Sequence, residues 1–213
     1  MEINSNTSVI NNFSADTSVS NYNLAILRQP LSSGLKQDEA IDLKNRKNQA
    51  LTEMLSEHTS ANPVALKHLD LSGMDLTGHN FNWVNLESSD LSYAIINGCP
   101  FREAKLNCVN MQNVQAEGCD FTHAEMYAIN LSESNLQRAT LDEAHLDAAM
   151  MMKANMDNAS IKDVDIEDHA DFDDATMRGA QLHRSNLVNA SMRNVDLTDA
   201  DYSETRLPGF SYA

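Results

Sequence analysis

A chain of 213 residues, 42% of them hydrophobic, has room for one sizeable domain and a tail. Its formal charge is −16, and residues 63–213 hold 24 acidic against 10 basic side chains. That sign argues against direct nucleic-acid binding and against anionic membranes, and the longest apolar run in this part, Ala148–Met152, is too short for a membrane span.

Residues 1–35 include fifteen Asn, Ser or Thr and show no sustained periodicity. The opening MEINSNTSV has neither the basic nor the apolar region of a secretory signal peptide. Composition therefore predicts a disordered leader and possible export signal, with one apolar cluster at Leu24, Ala25, Ile26 and Leu27. Residues 36–62 are expected to supply a capping helix, from about Lys36 to His58, with Asp38 and Glu39 in its first turn. Ala40, Ile41, Leu43, Ala50, Leu51, Met54 and Leu55 fall in one half of its wheel, and Pro63 marks the exit. Docked over Leu66, Leu69 and Leu71, that stripe would close the end of whatever follows.

Residues 63–213 are dominated by a period of five. Large side chains recur from Leu71, Leu76 and Phe81 through Ile161 and Ile166. One residue is then inserted, and the beat resumes from Phe172 to Leu207. Of 28 centres, 27 are Leu, Ile, Met, Phe or Tyr, with Ala116 the exception; two residues earlier a small residue stands at 24 of 28 places. Five fits neither a helix nor a flat strand, because an odd period would flip the inward face at each unit. A corner after every unit restores the direction, so the chain must close on itself.

The pattern A(D/N)LXX resembles the pentapeptide-repeat family. The resemblance implies an all-β fold, a right-handed quadrilateral β-helix with four units per coil and about seven coils. Every fourth centre then stacks Phe81, Phe101 and Phe121 on one face. The inserted residue is expected to be expelled as a bulge at Glu167, Asp168 and His169, since keeping it in line would turn every later centre outward.

No Gly-rich phosphate loop, HExxH, GxSxG or metal-spaced Cys/His set occurs, so the reading is a non-enzymatic protein without cofactor or metal. Cys99 and Cys119 are expected in the core and Cys108 at a corner; His79 points inward, while His123, His145, His169 and His183 point outward. Two groups are candidate partner-binding residues. The acidic run Asp157, Asp163, Asp165, Glu167, Asp168, Asp171, Asp173 and Asp174 is offset in sequence only by Lys162. It reads as a solvated face, a dock for a basic partner, or a divalent-cation site. The second group is apolar but outward-facing: Met150, Met152, Tyr93 and Ile95, with Trp83 and Tyr127 at similar places.

Two functions follow from the resemblance. The leader looks like those of type III secreted effectors of the PipB-like kind, which implies a bacterial virulence protein exported into a host cell and bound to a host protein. The acidic rod looks like the DNA-mimicking gyrase binders of the Qnr and MfpA type, whose partner offers the basic groove of a nucleic-acid enzyme. A resident cytoplasmic binding protein is the third reading. Pro208, Phe210 and Tyr212 could cap the last coil or pair two chains as a homodimer.

Overall fold

The computed structural model describes residues 12–31, 34–56 and 58–209, with side chains from Ser20 onward. From Val64 the backbone turns a corner every five residues and returns above itself after twenty. Ala65 thus bridges Asn85, which bridges Lys105, Glu125 and His145 in one parallel ladder. The first unit is centred on Leu66, fully buried and one beat earlier than the series that starts at Leu71.

One unit shows how the backbone is satisfied. Leu91 N donates to Asn110 O (2.7 Å) and Tyr93 N to Gln112 O (3.0 Å), both in the next coil. Ala94 N turns back to Leu91 O (3.0 Å), and Ile95 N reaches down to Met74 O (2.9 Å). The corner is made by Tyr93 at φ 59°, a left-handed conformation repeated by the residue two places after nearly every centre.

Inside, the centres are buried from Leu66 to Leu187. The four faces are named here by their lowest centres: Leu66, Leu71, Leu76 and Phe81. On the last, Phe81 and Phe101 stack at 4.8 Å with planes 7° apart, and Phe101 and Phe121 at 5.2 Å and 20°. Ala116 is fully buried in the Leu76 column. In the last described coil Met192 and Leu197 are only half-buried and Tyr202 is 51% exposed, with no described coil above them. Ala190, Met192, Leu197, Leu207 and Pro208 line an open groove of ≈ 410 Å³ there. Phe210 and Tyr212, the expected dimer contacts, lie outside the described residues.

At the other end two helices cover the first coil. Helix α2 (Gln37–Leu55) buries Leu43, Ala50, Leu51 and Leu55, whereas Ile41 of the anticipated stripe is exposed. Helix α1 (Asn12–Leu27) falls within the segment expected to be disordered, and its C-terminal end is docked: Ile26 and Leu27 join the core. The physical reason is the cluster Leu24–Leu27, whose apolar surface finds a partner on α2. Asn23 Nδ2 adds a hydrogen bond to Glu53 (3.0 Å), and Leu31 N one to the Asp70 carboxylate (2.6 Å).

The cap also answers a polar demand. In the first coil the carbonyls of Asp70 and Asp75, whose counterparts higher up accept from the coil below, have no lower coil, and α2 supplies a donor to each as well as to Gly73 O. Lys44 Nζ reaches Gly73 O (2.6 Å) and Asn48 Nδ2 reaches Asp75 O (3.3 Å). Lys47, completely buried, donates to Leu27 O (2.9 Å) and to Asp70 O, tying α1, α2 and the rod together at one ammonium. Burial pushes its pKa from 10.5 down to about 8, against the opposing pull of the Asp70 charge. Between those two values the unfolded chain holds a proton that the folded chain has lost, so stability should rise as pH climbs through that window. Melting temperatures of the wild type and Lys47→Met, taken from pH 7 to about 10.5, test this. The wild type should gain relative to the variant as pH rises; parallel curves would place the titrating group elsewhere.

Candidate protein-binding surface

The acidic composition has a local cause. Within each unit the N–H following the centre has no backbone partner, and the Asp or Asn before the centre accepts it. Ser92 N donates to Asp90 Oδ1 (2.9 Å), Thr122 N to Asp120 Oδ1 (3.0 Å) and Ser132 N to Asn130 Oδ1 (3.1 Å). At several units where that position holds another residue, a carboxylate or amide of the coil below takes over. Pro100, Ser160, Thr176 and Ser191 precede such centres; the N–H groups of Arg102, Lys162, Arg178 and Arg193 go instead to Asn82, Asp142, Asp157 and Asp173 (2.7–3.0 Å). Many acids of the rod are therefore backbone acceptors first.

The twelve candidate residues divide accordingly. Because a coil takes twenty residues, the run from Asp157 to Asp174 encircles the rod as a belt. Asp157 lies on the Leu76 face and Asp163 at the corner after the Phe81 face. Asp165, Glu167 and Asp168 belong to the Leu66 face, and Asp171, Asp173 and Asp174 to the Leu71 face. Nor is Lys162 alone in offsetting them. Arginines one coil above do so: Arg178 holds Asp157 through Nε (3.0 Å) and Nη2 (2.6 Å), Arg184 Nε holds Asp163 (2.6 Å), and Arg193 Nε holds Asp173 (2.6 Å). Asp157 and Asp173 are buried. The bidentate hydrogen bonds and charge of these arginines are the kind that hold carboxylates ionised. Pairs of this sort, twenty or twenty-one residues apart, are invisible to local pattern reading, yet counting by the coil finds them: Lys67–Glu87, Lys105–Glu125 and His123–Glu143 follow the same rule.

The bulge lies where the insertion predicts. Bridges step by twenty residues up to Thr140–Ser160, by twenty-one from Met150–Asp171, and by twenty again from Asp171–Ser191. Glu167, Asp168 and His169 are exposed while Ile166 and Ala170 remain buried. Asp147 Oδ1 accepts the N–H groups of both Glu167 (2.8 Å) and Asp168 (2.9 Å), and Asn189 Nδ2 donates to Ile166 O (3.1 Å) and Glu167 O (3.0 Å).

The apolar candidates fall into two separate pairs. Met150 (44% exposed) and Met152 (38%) lie on the Leu71 face, where Met150 bridges directly to Asp171, whereas Tyr93 (64%) is at the corner after that face three coils lower and Ile95 begins the Leu76 face. Trp83, expected outside, is half-buried with its ring 6.4 Å from that of His58. Cys99 and Cys119 are core residues; their thiols donate to Leu76 O (3.3 Å) and Ile96 O (2.9 Å), and burial pushes Cys119 up to about 12. Cys108 is exposed. Among the described residues no cluster of His, Cys, Asp or Glu is placed to hold a metal ion, and no helix is long and apolar enough to cross a membrane.

A pentapeptide-repeat family model, in eight copies, matches residues 66–102, 85–122, 129–168 and 168–201, more than half of the chain. This chain belongs to the pentapeptide-repeat family. Solved structures of pentapeptide-repeat proteins are similar to it at low identity. HetL from the cyanobacterium Nostoc, involved in heterocyst differentiation regulation, is 16% identical, with 78% of this chain and 98% of HetL covered and a TM-score of 0.37. QnrB1, a plasmid-mediated fluoroquinolone resistance protein, is 11% identical, with coverages of 73% and 88% and a TM-score of 0.43. A pentapeptide-repeat protein of the Arabidopsis thaliana thylakoid lumen is 23% identical, with coverages of 65% and 71% and a TM-score of 0.23. A search of curated proteins found no match.

The pentapeptide-repeat ladder makes an acid-stability prediction. Hydrogen bonds from Arg193, then Ser191, hold the Asp173 pKa down at about 2 against an ordinary 3.8. A depressed carboxylate stabilises the fold above its unfolded pKa and loses that effect as pH falls through the folded one, here between about 4 and 2. Denaturation midpoints across that window should fall more steeply for the wild type than for Asp173→Asn. Equal slopes would remove Asp173 from the acid response.

Proposed function

We propose that this pentapeptide-repeat rod is a non-enzymatic binding protein that acts on a protein partner through its sides, and that it is exported by a bacterial cell in order to do so. The observation that carries the binding reading is the charge of the folded rod: its residues 63–213 have 24 acidic against 10 basic side chains, too many acids for the arginine and lysine ladders to neutralise. Such a surface raises the encounter rate with a basic partner and repels other anions. The export reading rests on residues 1–19, in which ten are Asn, Ser or Thr, upstream of the point where Ser20–Leu31 packs against α2 and the rod.

The two parts are tested separately. Affinity capture from host-cell and bacterial lysates should recover a basic partner at low salt. The Glu167→Gln/Asp168→Asn/Asp174→Asn variant, which leaves the paired Asp157 and Asp173 intact, should lose it. Equal recovery by both would end the acidic-surface reading. A captured DNA gyrase whose supercoiling activity falls in proportion to bound rod would turn the host-partner reading into the DNA-mimic one. Deleting residues 2–19 should abolish secretion through a type III apparatus while the melting temperature of the rod stays unchanged; undiminished secretion would sink the export part alone.

A further inference from the structure

The corner between the Leu66 and Leu71 faces is polar at both ends and apolar in the middle. Reading upward, its left-handed positions are His68, Ser88, Cys108, Ala128 and Ala148, followed by the bulge. Ala128 stacks over Cys108 and Ala148 over Ala128, through the ladder that joins Cys108 N to Tyr127 O (2.9 Å) and Ala128 N to Asp147 O (2.9 Å). Tyr127, 50% exposed, flanks the column on one face, and Met150 and Met152 flank it on the other. Counting coils at about 4.8 Å, the strip from Cys108 to the bulge is about 14 Å long.

Three of these residues depart from the polar pattern of the rod. Met150 stands in a ladder column whose other members include Asp70, Asp90, Asn110, Asn130 and Asp171, each of which accepts an N–H with its side chain. Methionine gives the N–H of Met152 no such acceptor and puts a thioether in water instead. Ala128 (φ 52°) and Ala148 (φ 56°) put methyl groups at corner positions where Glu103, His123, Glu133, Arg138 and Glu143 place polar side chains elsewhere on the rod. Local rules broken together at one edge mark a site where stability has been traded for something else.

We infer that this edge is the docking line for a partner segment that is apolar along one side and carries Lys or Arg at the end next to the bulge. The inference rests on the protein-binding reading above and gives it a place. Charge complementarity selects the occupant. The upper end of the strip is rimmed by Asp147, Asp165, Glu167, Asp168 and Asp171, while Asn107, Asn110 and Gln112 surround the lower end. A second copy of the chain would bring the same acids against them. A helix of about ten residues, roughly 15 Å long, matches the strip.

The test uses the full chain and a displayed library of random peptides about ten residues long. Selected peptides should combine Leu, Ile or Phe with Lys or Arg, weaken with salt, and slow alkylation of Cys108 by N-ethylmaleimide at least tenfold; Cys99 and Cys119, being buried, give no background. The variant Ala128→Asn/Ala148→Asn/Met150→Asn should melt at the same temperature as wild type or higher, yet bind those peptides at least tenfold more weakly. Peptides without basic residues, or binding untouched by the variant, overturn the inference. So does a fall in melting temperature with binding unchanged, which would make the three residues structural. If the variant still captures the lysate partner of the preceding section, this edge is excluded while the protein-binding reading stands.

Discussion

The constraint on which the structure depends is that a five-residue unit must find partners for all of its backbone N–H groups while turning a corner. Four are met by the backbone, two upward, one downward and one within the turn; the fifth needs a side-chain oxygen. That single requirement explains why Asp and Asn crowd the position before the centres, and why an Asp or Asn of the coil below serves the units of Pro100, Ser160, Thr176 and Ser191. An unmet buried donor costs on the order of 1–3 kcal/mol, so a missing acceptor in a rod of this kind is not a neutral event. Negative charge is thus partly a by-product of folding. A partner that reads the rod's charge reads what the ladder leaves over.

The same logic governs the ends. A coil satisfies its neighbours, so the first and last coils must be served by something else. At the first, Lys44, Lys47 and Asn48 bring donors to carbonyls while Leu51 and Leu55 cover the core. Placing a lysine in that position is costly in desolvation, as its lowered pKa shows, and an ammonium with its several donors is the side chain that can join two carbonyls from different elements. At the last described coil no comparable donor set covers Met192 and Leu197, and they stay half-exposed.

What could be read from the sequence follows from where each signal is stored. Centres, the Phe81–Phe101–Phe121 stack and the bulge at Glu167–His169 are encoded by short-range period, and one residue out of step is enough to locate an insertion. The arginine pairs to Asp157, Asp163 and Asp173 are encoded at a distance of one coil. A local scan therefore saw an acidic run with one lysine where the structure has a belt clasped from above. Helix α1 is hidden for a different reason: its composition is that of a disordered segment, and only Leu24, Ile26 and Leu27 near its end pack it against α2 and the rod. The twelve candidate residues are spread around the rod because sequence proximity is not surface proximity. In a solenoid the residue beside Met150 on the surface is Asp171, not Asp157.

Regularity is what makes exceptions informative here. In an irregular fold an exposed methionine or an alanine at positive φ has many explanations. In a column whose other members include two Asn and three Asp that each accept an N–H, Met150 has forgone an interaction available at no cost in geometry. Single departures occur elsewhere on the rod, as at Ile95 and Val188. Along this corner Cys108, Tyr127, Ala128, Ala148, Met150 and Met152 adjoin one another, and the break in register at the bulge rises directly above them. Two unrelated kinds of irregularity, one in side-chain polarity and one in backbone length, thus meet at one edge. Folding requires neither, so their coincidence is better accounted for by a surface that another molecule touches.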